Sequence, residues 1–261
     1  MAEKWQEVLT EIEWVDGKCV ERAIVGSYRH AITVICSKLG RQKAQFANGE
    51  YPYFAYIELL GSGGKWITHG TNIVPILPDH RLIMVVEQRP PHGRFAERPR
   101  FIELKKGTID LNDFGPFSSL EFPGGAIEPG ESFTAGFLRE LQEESGVGEQ
   151  SATLYRTLRP HYPFGADIAL QAFLGVVFLS GLSYTEQVEH DGGLRVLALT
   201  EKEVQKNICN GVIASAQAAL LGWAFYKEVK EMLGNTRMPT ESEMVKSGYL
   251  AIEHVKIIKP K

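Results

Sequence analysis

The sequence predicts an α+β fold, and three observations carry that prediction. Short apolar runs rich in β-branched and aromatic residues, punctuated by Gly and Pro, dominate the chain up to Arg89. A segment of helical period opens at Ser132, suited to an N-cap, and closes at Gly146, suited to a left-handed stop. A second helical segment begins at a T-x-x-E capping box, Thr200 to Glu203, and two further apolar strand candidates lie between the helices.

The elements follow in order. Residues 1–65 read as a β-rich N-terminal extension. Strands are expected at 31–36 and 53–60, and a glycine turn at 61–64 leads into Lys65, Trp66 and Ile67 as a hairpin. Residues 66–234 read as the main domain. In it, 72–77 and 82–89 are expected as two strands joined by a tight turn at 78–81. Residues 90–100 and 107–119 read as irregular loops of the kind that carry specificity. Strands are expected at 154–158 and 169–179, the latter apolar enough to be central. From Thr200 a helix, interrupted near Gly211, runs on with Ile213, Ala216, Leu220, Trp223 and Ala224 on one face and stops at Gly234. Residues 235–261 read as a C-terminal tail with a strand at 250–258.

Composition excludes several classes. The chain has 261 residues with 44% hydrophobic content, enough for a full core. A net charge of −4 and a pI near 6.0 leave no electrostatic footprint for nucleic acid. The N-terminal residues are too charged for a secretory signal, and no run approaches the roughly 18 apolar residues that span a bilayer, so a cytoplasmic protein without membrane contact is expected. Cys19, Cys36 and Cys209 are scattered and lack a CxxC pair, which reads as reduced thiols.

Function is carried by one stretch, GAIEPGESFTAGFLRELQEESGV, from Gly125 to Val147. Glu140, Glu143 and Glu144 fall within an arc of about 100° on the helix, beside the apolar stripe of Phe137, Leu138 and Leu141. Three carboxylates so close repel one another unless a cation joins them, and they are expected at the rim of a cleft. Gly125, Glu131, the run Arg139-Glu140-Leu141, Glu143-Glu144 and Gly146-Val147 fill every position of G-x5-E-x7-R-E-U-x-E-E-x-G-U, where U is aliphatic. On this pattern the chain resembles the Nudix hydrolases.

That resemblance implies an α/β/α sandwich with a mixed sheet. It also implies hydrolysis of a nucleoside diphosphate linked to another group, with Mg2+ or Mn2+. Carried over by position, Glu140 and Glu144 are the principal metal ligands and Glu143 a further one, with the carbonyl of Gly125 or Ala126 as a backbone ligand. Arg139 is expected to brace Glu131 or Glu143 first and to touch substrate second. The proton-accepting group falls on Glu189, with Glu186 the second choice. Arg89, Arg94 and Arg98 are candidates for binding phosphate, one of the three rather than all.

Three features outside the box resemble the ADP-ribose and nucleoside diphosphate sugar subgroup: Glu121 in the E-x-P-G-G entry to the box, Pro163 sixteen residues beyond Val147, and the segment 208–213 before an Ala-rich helix. A small nucleotide substrate and a homodimer built through residues 1–65 are the implied partners. Alternatives are another nucleotide (NADH, a dinucleoside polyphosphate or a nucleoside triphosphate) or a nucleotide-sensing domain without turnover.

Overall fold

The protein is described from a computed structural model. It describes residues 11–15, 18–28, 31–37, 44–46, 49–51, 53–60, 66–89, 97–162, 170–184, 187–188, 194–213, 216–234 and 250–258. Two units are distinct: Met1–Thr68 with Phe164–Leu170, and His69–Pro163 with Gln171–Lys261.

In the first unit the strands are β1 (Glu11–Val15), β2 (Lys18–Tyr28), β3 (Ala31–Ser37), β4 (Ala44–Phe46), β5 (Gly49–Tyr51), β6 (Tyr53–Leu60) and β7 (Trp66–Ile67). They form an antiparallel sheet in the order β1-β2-β3-β6-β7 and a small β4-β5 ribbon. The register of β2 on β3 shifts between Ile24 and Gly26. A bulge of this kind strengthens the local twist. The strands expected at 31–36 and 53–60 correspond to β3 and β6.

The second unit opens with β8 (His69–Ile76), β9 (Leu82–Gln88), β10 (Phe101–Glu103), β11 (Thr108–Asp110) and β12 (Ser118–Glu121). Helix α1 (Phe133–Ser145) follows, then β13 (Gln150–Thr157), β14 (Gln171–Leu179), β15 (Gln187–Val188) and β16 (Leu194–Leu199). Helices α2 (Glu201–Cys209) and α3 (Ala216–Leu233) and strand β17 (Leu250–Ile257) complete it. The main sheet runs β15-β16-β9-β8-β14-β13-β17, with β12 also on β9, and β14 parallel to β8.

Alternation along the strands sends side chains into two cores. Ile73 and Leu77 of β8 and its following turn, Ile83 and Val85 of β9, and Phe173 and Val177 of β14 pack with Phe137 and Leu141 of α1. The intervening Val74, Ile76, Met84, Val86, Leu174 and Val176 pack on the other face with Phe225, Tyr226 and Val229 of α3. One mixed sheet between helical layers is the sandwich the sequence implied, and period-two strands with two apolar faces are its cause. Gly175 of β14 lets α1 approach closely, since a Cβ there would stand 2.4 Å from Cε1 of Phe137.

Three local readings are corrected and one is refined. β8 and β9 are joined by the expected tight turn, closed by Leu77 N–H on Arg81 O at 2.9 Å, but their ladder is limited to the pair Ile76 and Leu82. The gap is taken by one segment. β12 pairs with β9 from Ser118 to Glu121, and the chain beyond it crosses to β8, where the amides of Ile73 and Thr71 donate to Pro123 O (2.9 Å) and Gly125 O (2.8 Å). Residues 107–119 are not wholly irregular: β11 pairs with β10, and a 3-10 turn at Leu111–Phe114 is capped by Asp110. The helix expected to continue past Gly211 is instead two helices. Gly211 takes a left-handed φ of 71°, and Ile213 bridges Leu120 before α3 begins.

The buried face of α3 also differs. Ala218, Ala219, Phe225, Tyr226 and Val229 face the core and Leu220 is exposed, while Ile213 and Trp223 of the expected face do pack on the core. A Cβ at Gly222 would lie 3.2 Å from Asn72 Oδ1 of β8, so the small residue marks the side that approaches the sheet. Beyond α3, β17 pairs along the whole of β13 and forms the sheet edge.

Candidate active site

Helix α1 carries the acidic residues, and its ends are built by the side chains that flank it. Ser132 Oγ accepts the N–H of Ala135 at 3.2 Å, and Gly146, at φ 59°, closes the helix with its N–H on Gln142 O at 2.9 Å. The face turned to the sheet carries Phe137, Glu140, Leu141 and Glu144 at spacings of three and four. Glu140 and Glu144 are therefore buried, 8% and 9% exposed, and not at an open rim. Glu143 is more open, its side chain 38% exposed.

The glycine loop before the helix is fitted to these carboxylates. Gly124 N–H donates to Glu144 Oε2 at 2.8 Å. A Cβ on Gly125 would lie 2.4 Å from Glu140 Oε2 and one on Gly124 2.3 Å from Thr71 O, so both positions require glycine for close approach. The loop is itself strung along β8 by Thr71 and Ile73, as described above.

Arg139 gathers the remaining groups. Nε and Nη2 donate to Glu131 at 3.1 and 3.0 Å, Nη1 to Glu140 at 2.8 Å and Glu143 at 3.0 Å, and Nη2 to Ala126 O at 2.7 Å. Burial alone would loosen its proton, but the carboxylates of Glu131 and Glu140 outweigh this and keep it charged. Arg139 thus braces Glu140 and the loop as well as Glu131 and Glu143.

A second cluster lies where β9 meets β12. Arg89 donates to both oxygens of Glu121, Nε at 2.9 Å and Nη2 at 3.0 Å, and pairs with Glu87 at 2.6 Å. Ser119 Oγ donates to Glu121 Oε1 at 2.6 Å. Glu87 and Arg89 are two residues apart and continue the face of β9 that Val85 turns towards α1.

Charge links the two clusters. Burial pushes the Glu144 carboxyl well above its usual range, and the neighbouring charges of Glu87 and Glu140 push it the same way, against the Gly124 bond and Arg89. Glu140 is also raised, first by burial and against the pull of Arg139. Both carboxyls are thus harder to ionise than free ones, and a nearby cation would favour their charged form.

Of the residues expected in the site, Glu140, Glu143, Glu144, Arg139, Gly125 and Ala126 come together, and Arg89 and Glu121 join them as an ion pair. Arg98 is spent on its own loop: it donates to Ser118 O, to Asn112 Oδ1 at 3.0 Å and to Pro116 O at 3.2 Å. Arg94, Pro163, Glu186 and Glu189 lie outside the described residues. Glu87 was not singled out from sequence. The signal for it was its place two residues before Arg89 on a strand, which puts both on one face.

Residues 110–208 match the family model for the NUDIX domain. The matched region holds the Gly125–Val147 box and so resembles a Nudix domain. Two curated relatives align with part of the chain. An 8-oxo-dGTP diphosphatase of Escherichia coli is 46% identical over 46 residues, 18% of this chain and 36% of that protein. An 8-oxo-dGTP diphosphatase of Haemophilus influenzae is 44% identical over 76 residues, 24% of this chain and 55% of that protein. The chain thus spans between about a third and about half the length of these relatives. A crystal structure of an ADP compounds hydrolase aligns over 87% of this chain and 98% of its own, with a TM-score of 0.48 and 16% identity.

A Nudix domain implies a divalent cation, and the donor chemistry here fits one. Glu140 and Glu144 offer hard oxygens, as Mg2+ and Mn2+ prefer. Gly125 O and Ala126 O each already accept one protein hydrogen bond, which leaves each a second lone pair. Among the described residues no three His, Cys, Asp or Glu side chains converge as a ready-made metal site. The Arg139 guanidinium instead bridges Glu140 and Glu143. No described helix is long and apolar enough to cross a membrane.

Proposed function

We propose that this Nudix domain hydrolyses the pyrophosphate bond of a nucleoside diphosphate derivative, with ADP-ribose or a nucleoside diphosphate sugar as substrate. The observation that supports it is the pair of buried carboxylates, Glu140 and Glu144, held against the glycine loop beside Arg89. Burying two acids costs stability unless a cation or a bound group repays it, and a fold that keeps them does so for chemistry.

Glu140 and Glu144, with Glu143 and the carbonyl of Gly125 or Ala126, would hold Mg2+ or Mn2+, which supplies charge to the phosphates and acidity to water. The chain's own groups do the rest. Arg89, fixed by Glu121 and Glu87, presents a guanidinium to phosphate oxygen without having to be ordered first. Arg139 keeps Glu140 and Glu143 apart and oriented. The attacking water gives its proton to Glu189, or to Glu186. Its oxygen bonds to one phosphorus as the bond from that phosphorus to the bridging oxygen breaks, the bridging oxygen leaves with the other phosphate, and ADP-ribose yields AMP and ribose 5-phosphate.

Glu121 in its E-x-P-G-G setting and Pro163 favour this substrate class. The partial relatives named for 8-oxo-dGTP favour a nucleoside triphosphate. Phosphate-ester release with Mg2+ across ADP-ribose, nucleoside diphosphate sugars, NADH, dinucleoside polyphosphates, 8-oxo-dGTP and unmodified nucleoside triphosphates separates the two. Turnover of triphosphates with inert ADP-ribose and sugar nucleotides removes the proposal. Binding without turnover of any of them makes the domain a sensor. The homodimer through residues 1–65 belongs to the same reading, and a monomeric mass for the full chain in solution removes it.

A further inference from the structure

Phe117 is a large apolar side chain left 40% exposed at the edge of the Arg89 cluster. Its backbone carbonyl accepts the N–H of Arg89 at 2.7 Å, which extends the β9–β12 ladder one step beyond the pair Ser118 and Gln88. Residues opposite each other in an antiparallel pair share a face, so Phe117 lies on the side that carries Ser119, Glu121, Glu87 and Arg89.

The loop that presents it is tightly held. Arg98 donates to Ser118 O, Pro116 O and Asn112 Oδ1, while Gln88 Nε2 donates to Phe114 O at 3.1 Å and Ser118 Oγ at 2.7 Å. Phe114, three residues earlier, packs against the core below α3, and Phe117 does not. An aromatic ring held out of the core by an anchored loop is pre-organised for contact with something else.

From this we infer that Phe117 is a substrate-binding residue, a stacking surface for the nucleobase of the substrate. The inference rests on the proposed function and deepens it by assigning the ring subsite. Two residues along the strand, roughly 7 Å, separate the Phe117–Arg89 level from the Ser119–Glu87 level. A nucleotide whose phosphates lie by Arg89 and Glu144 therefore carries its base towards Phe117. The ring face is apolar and tolerant of base identity, while Arg89 at its edge favours a phosphate beside the base.

The test measures binding of AMP and of ribose 5-phosphate to the full chain by calorimetry, for the parent, Phe117→Ala and Phe117→Trp. Loss of a stacking partner weakens AMP binding on the order of 5- to 100-fold. Ribose 5-phosphate, which has no base, keeps its affinity, and Phe117→Trp keeps AMP binding. AMP affinity unchanged in Phe117→Ala overturns the inference, as does a parallel fall for ribose 5-phosphate, no rescue by Trp, or a parent that binds no AMP. Failure of the proposed function reads differently: AMP binding stays dependent on Phe117 while ADP-ribose and sugar nucleotides are not turned over.

Discussion

The carboxylate of Glu140 lies against the backbone of Gly125, so closely that a methyl group on that α-carbon would come within 2.4 Å of Oε2 and 2.5 Å of Cδ. Gly125→Ala must therefore displace the carboxylate, because the loop is fixed on β8 by Thr71. We expect turnover to fall by about tenfold or more, as when a positioned group shifts by about an ångström. The thermal midpoint should move by only a few degrees. Unchanged kcat/KM would show that Glu140 need not occupy this position.

Glu144→Gln removes the charge while its amide oxygen still accepts the Gly124 N–H. Turnover should drop on the order of 100-fold at saturating Mg2+, since a ligand charge is lost and the shape is kept. The metal-free protein should be no less stable than the parent in denaturant, because an ionised buried carboxylate is no longer required. Activity within a few fold of the parent would place the chemistry elsewhere.

Arg139→Ala deprives Glu140, Glu131 and Glu143 of one shared partner and leaves Glu140 buried and unpaired. A loss of about 3 kcal/mol in unfolding free energy is expected, the cost of removing one side of a buried ion pair. Arg139→Lys should recover less than half of it, since one ammonium cannot span three carboxylates and the Ala126 carbonyl. Urea unfolding of both variants checks this.

Gly175→Ala tests the helix–sheet contact separately from the chemistry. Phe137 must move to accommodate a methyl group, which costs about 1–3 kcal/mol as core overpacking. A stability equal to that of the parent would mean that α1 is free to shift away from β14.

Glu201 opens α2 and pairs with Lys227 and Lys230 of α3, while Tyr226 OH donates to it at 3.2 Å. Burial raises its pKa, but the two lysines outweigh burial and hold it down to about 2, against 4.5 for a free carboxyl. A depressed carboxylate stabilises the fold above its unfolded pKa, and that contribution disappears as pH falls from about 4.5 to about 2. The pairs are partly solvated, so Glu201→Gln should cost about 1 kcal/mol at pH 7. The difference from the parent should vanish near pH 2, and a gap independent of pH would assign the effect to packing.

Much of the second unit could be read from local pattern. Ser132, Gly146 and the Thr200–Glu203 box mark helix ends through short-range hydrogen bonds, which depend on neighbours in sequence alone. The spacing of Glu140 and Glu144 with Phe137 and Leu141 placed acids and core on one face for the same reason. The box from Gly125 to Val147 pointed to the family whose model matches residues 110–208, because its residue types and spacings together are demanding.

Only the tertiary structure decided what depends on distant segments. Sequence suggested that β8 and β9 pair, but their separation follows from the segment 118–127, which pairs first with β9 and then with β8. Leu220 and Ala224 of the expected α3 face turn outward, and the approach of Gly222 to Asn72 marks the side that packs on the sheet. The share of Arg139 among Glu131, Glu140, Glu143 and Ala126, and the influence of the Glu87 charge on Glu144, bring together residues from a strand, a loop and a helix. Local propensity holds no term for such contacts, since their energy arises only when the sheet and α1 close around a common core.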